Sequence, residues 1–337
     1  MKLHAFLVFR PLSALLMLFI LLSILFFILH VLPGDPAAVL LPIDAPKEAL
    51  MKLRSELGLD KPLYIQYFSF IYDVFSLRMG TSVRSWMSGR VVLSDVLNAL
   101  PTTIELTIGG MITGCTLGVV LGLISAYKHN SLTDHLIRGI SVAGYTLPVY
   151  LIGPLLQISL GLTLGIFPVQ GRFSPGITLN RITGFAILDS ILTVNVPALI
   201  SGLQHLVLPS LTLGFYTLAT ITRISRQETI FCLNQDYVRT ARGKGLTERV
   251  VLIKHAFRNA LIPVVTVMGI QTATLLGGAI ITESIFNLGG MGSLLLLAVQ
   301  SRDFPLIQAC IVFSAIWVSV ATVLMDLVYF LLDPRVR

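Results

Sequence analysis

The chain has 337 residues, of which 55% are hydrophobic and only 12% are charged, and its mean hydropathy is +0.85. A soluble globular protein carries roughly 25% charged residues, so this composition excludes that class and predicts a protein of the lipid bilayer. The net charge of +7 does not indicate a nucleic-acid-binding protein, because Lys and Arg occur in short stretches between apolar runs rather than in one basic stripe.

Six runs without a charged residue are long enough for a membrane-spanning helix, which needs about 20 apolar residues. These runs are 11–34, 106–127, 139–171, 190–222, 259–282 and 304–325. Two of them exceed one crossing, and their Pro- and Gly-containing portions at 167–171 and 195–197 favour a loop between two spans. The expected fold class is therefore all-α integral membrane, with six transmembrane helices.

The spans are expected at 11–32, 101–127, 136–163, 203–225, 259–282 and 304–330. The connections between and around them are expected at 1–10, 33–100, 164–202, 226–258, 283–303 and 331–337. A cleaved signal peptide is the alternative for the first run, since it follows Lys2 and Arg10. Its length and the lack of a small-x-small cleavage site favour a span.

The distribution of Lys and Arg predicts the orientation. The connections on the N-terminal side hold fourteen of them, eight within 223–258, whereas the short connections on the other side hold only Arg172, Arg181 and Arg302. An excess of Lys and Arg in short loops marks the cytoplasmic side, and long loops such as 33–100 cross largely regardless of charge. Both termini of this multi-pass chain are therefore expected in the cytoplasm.

The long connection 33–100 contains apolar residues at helical spacing. One set is Leu50, Leu53 and Leu57, and the other is Leu63, Tyr67, Phe70, Ile71 and Val74. They predict two short amphipathic helices on either side of Gly58 and Pro62. These helices are expected to pack against the membrane or the outer helix ends. The alternative is a lid or a surface that faces a receptor.

Motifs for catalysis or cofactor binding are not found in the sequence. The Gly-Lys pair at Gly243 and Lys244 is followed by Gly245, so it does not form a phosphate-binding P-loop. The six histidines and three cysteines match no usual metal-ligand spacing, and no G-x-S-x-G elbow occurs. No catalytic, metal or cofactor site is therefore expected in this chain.

Two ionisable residues fall near the ends of expected spans. Glu105 is near the outer end of the second span, and Asp326 is near the inner end of the last. Charged groups within a membrane are costly and are functional candidates by default. Both lie where a side chain can reach interfacial water or a helix terminus, which favours a structural role over a proton pathway.

The basic segment 223–258 carries eight Lys/Arg against three acids. A short helix is expected around Arg239 to Ala241 and is ended by glycines, and a second helical stretch is expected from about Thr247 to Arg258. Such a hinge of helices would project from the membrane as one compact knob. A basic cytoplasmic loop can serve only topology and contact with anionic lipid, but the ordered run from Asp236 to Leu246 favours a docking surface.

These residues carry a resemblance to a known family. The runs Gln235–Leu246 and His255–Thr266 resemble the permease subunits of bacterial ATP-binding cassette importers for dipeptides, oligopeptides and nickel, of the first-permease type. The similarity continues at 33–36, 56–63, 79–82, 208–214 and 333–337. It therefore covers nearly the whole chain and implies the type I ABC importer permease fold, with a single permease domain at about 95–330.

The resemblance also implies a role for the knob, which in such importers inserts into a cleft on an ATP-binding subunit. The coupling positions would be Arg239, Thr240, Ala241 and Gly245, flanked by Asp236, Tyr237, Arg242 and Lys244. Arg-Thr-Ala stands here where the wider superfamily often has Glu-Ala-Ala, and Gly243 replaces a common Ala. The Arg-Thr-Ala departure is usual for the peptide branch of the family. The change at Gly243 is not expected to abolish docking, since Gly accepts every backbone geometry at a modest helix cost.

The implied partners are a second homologous permease subunit, two ATP-binding subunits that use ATP and Mg, an external solute-binding protein and membrane lipid, with no nucleic acid. The implied location is the bacterial inner membrane. The substrate stays open among dipeptides, longer peptides, glutathione, glycosides and metal chelates. A proton-coupled secondary transporter and an intramembrane hydrolase are the rival classes, and each lacks the residues that it would require.

Overall fold

The computed structural model describes residues 3–31, 46–56, 58–76, 91–301 and 303–332. The described chain is mostly helical, with α1 Leu3–Val31, α2 Lys47–Glu56, α3 Leu63–Phe75, α4 Val92–Tyr127, α5 Leu132–Thr146, α6 Val149–Leu156, α7 Ala186–Leu192, α8 Val196–Leu233, α9 Asp236–Gly243, α10 Glu248–Val250, α11 Arg258–Phe286, α12 Met291–Gln300 and α13 Phe304–Leu332. The features expected at Lys2, 33–36, Leu57, 79–82, Arg302 and 333–337 lie outside these residues.

Four helices in the described chain are long and apolar enough to cross a membrane. They are Val92–Tyr127, Val196–Leu233, Glu248–Thr272 and Phe304–Met325. Two bent helix pairs, Leu132–Thr146 with Val149–Thr163 and Thr274–Phe286 with Met291–Gln300, raise the number to six if each pair is one span. Leu12–Ile28 within α1 is a shorter apolar helix. The all-helical membrane fold expected from the sequence is confirmed.

The two short helices expected in the first long connection are also confirmed, as α2 and α3. Tyr67 of α3 and Ser23 of α1 share a hydrogen bond of 2.7 Å between their hydroxyls. The ring of Tyr67 also lies 5.3 Å from that of Phe26, edge to face. α3 therefore packs along the side of α1.

The third span is not the single helix expected over 136–163. The helix axis bends by 116° between Leu132–Thr146 and Val149–Thr163, and the second piece consists of α6 and a π-helical turn over Gln157–Thr163. The bend lies at Leu147 and Pro148, where Leu147 is extended with φ −78° and ψ 128°. Proline disfavours the helical conformation of the residue before it and has no N–H to continue the helix, which explains the break.

The fourth helix is longer than the expected 203–225. α8 begins at Val196 because the Asn195 side chain accepts a hydrogen bond of 3.1 Å from the Ala198 N–H, with Pro197 in the first turn. Residues 195–197, which the sequence assigned to a loop, therefore form the N-terminal end of α8. At the other end, Arg223 and Arg226 end the apolar run without ending the helix. Charge marks where a helix leaves lipid, not where it stops.

The second span also begins earlier than expected. α4 starts at Val92 rather than at 101, and Pro101 lies inside the helix. A proline removes one backbone hydrogen bond, and helices that cross membranes tolerate this when neighbours satisfy the freed groups. The connection expected over 164–202 is not entirely a loop either, because it contains the short helix α7.

The connection expected over 283–303 is largely helical. α11 runs to Phe286 and ends at Asn287, which has a left-handed φ of 50°. α12 follows at an angle of 79° to the end of α11 and packs against α13. The sequence did not predict that the helix continues past residue 282, because the charged residue that follows, Glu283, indicated an exposed loop. In the structure, Glu283 is buried.

Close contact between α4 and α8 forms the centre of the bundle. Gly110, Gly114, Gly118 and Gly122 occur at every fourth residue along α4. A Cβ atom at Gly114 would lie 2.7 Å from the Gly214 carbonyl oxygen, and one at Gly118 would lie 2.8 Å from Ile221 Cβ. Small residues at this spacing let helix backbones approach closely, and van der Waals packing then holds the pair together.

Candidate functional site

Between α8 and α11 the chain forms a helical elbow, defined here as residues 234–257. α9 follows the extended Gln235, with φ −80° and ψ 152°, and ends at Gly243. Gly245 has φ +77°, in the left-handed region that favours glycine. The chain then enters α10 and a π-helical stretch, Val251–Phe257, that runs into α11. The elbow is thus two helical pieces joined by a glycine turn.

The underside of the elbow is apolar. A buried cluster is formed by Cys232, Val238, Ala241, Val251, Ala256 and Ala260. These residues come from the end of α8, from α9, from the π-helical stretch and from the start of α11. The elbow is therefore fixed to two long helices of the bundle by its own small core.

The outer face of the elbow carries most of the residues expected to couple to a partner. Asp236, Tyr237, Arg239, Thr240, Arg242, Lys244 and Gly245 are exposed. Ala241 is different, because only 5% of it is exposed and it belongs to the buried cluster. The structure thus places seven of the eight residues on one accessible surface and assigns Ala241 to the core beneath it.

Two ion pairs shape this surface. Arg242 Nε lies 2.8 Å from Glu248 Oε1, so the pair closes the glycine turn between α9 and α10. Arg239 Nη1 lies 3.3 Å from Asp236 Oδ1 within α9. Exposed pairs of this kind contribute only about 0–1 kcal/mol each to stability. The surface is basic because it carries, besides the two ion pairs, the exposed Lys244 beside the turn.

Glu105, one of the two ionisable residues noted within spans, is held by residues of the connection between α6 and α8. Arg172 Nη2 lies 3.0 Å from Glu105 Oε2, and the Ile187 N–H donates to Oε1 at 2.8 Å. The carboxylate thus ties α4 to the residues around α7. Asp326 lies on α13, and its side chain is outside the described part of the structure.

Sequence reasoning missed Asp134, which is fully buried near the start of α5. Its carboxylate accepts hydrogen bonds from the Ser125 hydroxyl, from the Asn130 N–H and from two nitrogens of Arg226. The signal that could have located it is the spacing of Ser131 and Asp134, since Ser131 Oγ accepts from the Asp134 N–H as a helix N-cap.

Sequence reasoning also missed Glu283, which was assigned to a loop. It is fully buried and accepts from the Thr103 hydroxyl and from the N–H groups of Gly292 and Ser293, at 2.8 and 3.0 Å. Those N–H groups belong to the first turn of α12, where a carboxylate is favoured by the helix dipole. One carboxylate thus joins α4, α11 and α12.

Asp189 of α7 is another buried carboxylate that sequence reasoning missed, and no sequence signal pointed to it. Burial raises the pKa of Asp189, but hydrogen bonds from the Thr183 hydroxyl and from the N–H groups of Ile182, Thr183 and Gly184 lower it more. The net result is a pKa below the ordinary value for aspartate. Asp189 thereby organises the loop before α7 around a charged group.

Comparison with known proteins identifies the family. A model described as "Binding-protein-dependent transport system inner membrane component" matches residues 118–337, and the model for the N-terminal part of such components matches residues 3–107. Together the two matches cover nearly all of the chain.

Curated relatives align along almost their full length. The dipeptide transport system permease protein DppB of Escherichia coli (strain K12) is 36% identical over 316 residues, which are 93% of this chain and 92% of the relative. The di/tripeptide transport system permease protein DppB of Pseudomonas aeruginosa (strain UCBPP-PA14) is 37% identical over 315 residues, with 93% and 92% covered. The glutathione transport system permease protein GsiC of Escherichia coli O6:H1 is 35% identical over 320 residues, with 95% and 94% covered.

The family matches, the identity of these relatives and the helical membrane fold agree with one another. The chain therefore belongs to the family of inner membrane components of binding-protein-dependent transport systems and is a permease subunit of an ABC importer.

Proposed function

We propose that this permease subunit forms half of the path by which short peptides are imported, and that its helical elbow receives the mechanical work of an ATP-binding partner. The peptide substrate is supported by relatives named for dipeptide, di/tripeptide and glutathione transport. The observation that carries the coupling role is the elbow itself, an exposed basic surface on a buried apolar core.

The contacts of the elbow explain how work would reach the membrane. Val238 of α9 is fully buried against residues that belong to α8 and to the start of α11. A force on α9 therefore moves both long helices together. α8 is in turn packed on α4 through glycines, so α4, α8 and the elbow would rock as one body.

The assembly would contain three further kinds of component. A second homologous permease subunit would complete the path, and two ATP-binding subunits, which use ATP and Mg, would dock on the elbows. A solute-binding protein would deliver the peptide on the opposite side, which agrees with the dependence of this family on a binding protein. Both termini and the elbow would lie in the cytoplasm, as the distribution of Lys and Arg indicates.

A proton-coupled transporter is not favoured by the geometry. Glu105 is paired with Arg172, and Asp134 is paired with Arg226. Glu283 is held by two N–H groups and a hydroxyl. A proton relay would instead need carboxylates that can exchange protons near the middle of the bilayer.

The coupling role is tested by reversing charge on the exposed face alone. Arg239→Glu combined with Lys244→Glu should lower ATP-driven peptide uptake into proteoliposomes at least ten-fold and weaken co-purification of the ATP-binding subunit. Both positions are exposed, so the elbow itself should fold normally. Ala241→Glu is unsuitable, because it would bury a carboxylate in the cluster beneath.

The matched control is Lys128→Glu, an exposed basic residue in the connection between α4 and α5 and outside the elbow. It should leave uptake and co-purification unchanged. Normal uptake by the double variant, or an equal loss in the control, would show that the elbow is not the docking surface.

A further inference from the structure

A cavity of about 440 Å³ opens between α5 and α8, close to the part of α8 that runs into the elbow. The residues that give it chemical character are Arg138, Tyr145, Thr222, Arg223, Arg226 and Gln227. Three of these are arginines, whereas Val142 and Ala219 line the same space with apolar surface. The cavity therefore offers positive charge beside an apolar wall.

The cavity lies at the level where both helices pass from charged to uncharged sequence. Arg138 is the last charged residue before the uncharged run 139–171, and Arg223 is the first charged residue after the run 190–222. In a membrane protein this transition marks the boundary between the headgroups and the hydrocarbon. The arginines thus stand at the depth of lipid phosphates.

The positive charge in the cavity exceeds the negative charge available to it. Arg226 is satisfied by Asp134, with nitrogen–oxygen distances of 2.7 and 2.8 Å. Arg138 Nε lies 3.9 Å from the same carboxylate, which is already paired with Arg226. Arg223 lies over the ring of Tyr145, 5.7 Å from its centroid, and forms no ion pair with any residue that the structure describes. Two guanidinium groups therefore share the Asp134 carboxylate, and Arg223 adds a third positive charge without a carboxylate partner among the described residues.

A second, independent observation points to an occupant. Thr222 is 1% exposed, and its hydroxyl has no hydrogen-bond partner within the described part of the chain. Buried polar groups in proteins are nearly always hydrogen-bonded, so a missing partner calls for an explanation. Because Thr222 lines the cavity but its hydroxyl is itself buried, a rotation of the side chain toward the cavity would let an oxygen of a bound molecule supply that partner.

The apolar part of the cavity indicates an amphiphile rather than a bare ion. Tyr145 stacks on Tyr216, with ring centroids 5.3 Å apart, and Val142 beside it is 63% exposed. A flat aromatic pair next to an exposed valine provides a surface for a hydrocarbon chain. Basic pockets between spanning helices at the cytoplasmic side are suited to anionic lipid headgroups.

We propose that this cavity binds the phosphate of an anionic phospholipid between Arg138 and Arg223. The Thr222 hydroxyl donates to a phosphate oxygen, and one acyl chain lies along Val142 and Tyr145. The lipid then bridges α5 and α8 just above the elbow.

The test measures lipid binding to the full-length chain purified from membranes in a non-ionic detergent, with native mass spectrometry as the readout. The probes are phosphatidylglycerol, phosphatidylcholine with the same acyl chains, and inorganic phosphate as a competitor. Phosphatidylglycerol should bind more tightly than phosphatidylcholine. Arg138→Gln and Arg223→Gln should each weaken phosphatidylglycerol binding about five-fold, the effect expected for one basic residue near an anionic lipid.

Two further variants keep the result interpretable. Thr222→Val retains shape and should weaken binding without lowering the yield of folded protein. Arg249→Gln removes one exposed charge from the elbow, away from the cavity, and should leave binding unchanged. Equal binding of the two lipids, equal effects of the cavity and control substitutions, or full displacement by phosphate at the same concentration as phosphatidylglycerol would each overturn the lipid assignment.

Discussion

Arg226 and Asp134 form a bidentate ion pair that joins α8 to the first turn of α5. Arg226 Nε lies 2.7 Å from one carboxylate oxygen, and Nη2 lies 2.8 Å from the other. The Asp134 side chain is fully buried, whereas 19% of the Arg226 side chain is exposed. Because Ser125 of α4 donates to the same carboxylate, three helices meet at one charge.

Removing either partner of this pair should destabilise the fold strongly. Asp134→Asn leaves the Arg226 guanidinium without its counter-charge, and the expected cost is about 3–5 kcal/mol, as for other broken buried pairs. The measurement is the thermal unfolding of the purified chain in detergent. Arg226→Gln should have a comparable effect, since it leaves the carboxylate buried.

The double variant Asp134→Asn with Arg226→Gln separates pairing from general damage. It should lose clearly less stability than the sum of the two single variants, because no uncompensated charge remains. Additive losses would mean that the two groups act independently.

The glycine contacts between α4 and α8 predict a second effect. Gly114→Val should sharply lower the yield of folded protein, because its Cβ would lie 2.7 Å from the Gly214 carbonyl oxygen, a backbone atom that cannot move aside alone. Gly277→Val on α11 is the matched control, since nothing lies within 4 Å of a Cβ there. The yield of monodisperse protein by size-exclusion chromatography measures both. Equal yields would show that the two backbones are not in close contact.

The glycine turn of the elbow offers a second matched pair. Neither Gly243 nor Gly245 has an atom within 4 Å of an added Cβ, but only Gly245 has a positive φ. Gly245→Val should therefore strain the turn by about 1–2 kcal/mol and reduce ATP-driven uptake, whereas Gly243→Val should cause no such strain, because Val has a higher helix propensity than Gly. The rate of peptide uptake per folded complex compares them. Identical rates would contradict a left-handed turn at Gly245.

Asp189 predicts a dependence of stability on pH. Because hydrogen bonds hold its pKa below the ordinary value of about 3.9, its contribution is fully present above that value and is lost as the pH falls through the lowered pKa. Asp189→Asn should cost about 1–3 kcal/mol near neutral pH, since the amide cannot accept from all of the donors. The difference in unfolding temperature between the two proteins should narrow below about pH 4. A difference that does not change with pH would refute this role.

The apolar spans and the two short helices of the first connection could be predicted from the sequence because each depends on local composition. An uncharged run of sufficient length favours a helix that crosses the bilayer, since backbone groups there find no water, although the run 139–171 is broken by a sharp bend. The ordered basic run from Asp236 also drew attention to the elbow without any structural information. What the sequence determined by itself was therefore the class of protein, the family that it resembles and the segment that is expected to project from the membrane.

Only the tertiary structure decided where the buried charges go. Asp134, Asp189 and Glu283 are ordinary acids in the sequence, and what distinguishes them is partners distant along the chain or backbone N–H groups that a local fold brings together. The same is true of Ala241, which the family resemblance assigned to the coupling positions and which packs in the core beneath them. A hydrogen bond or a contact depends on three-dimensional proximity, and periodicity along one helix cannot specify which neighbouring helix supplies the partner.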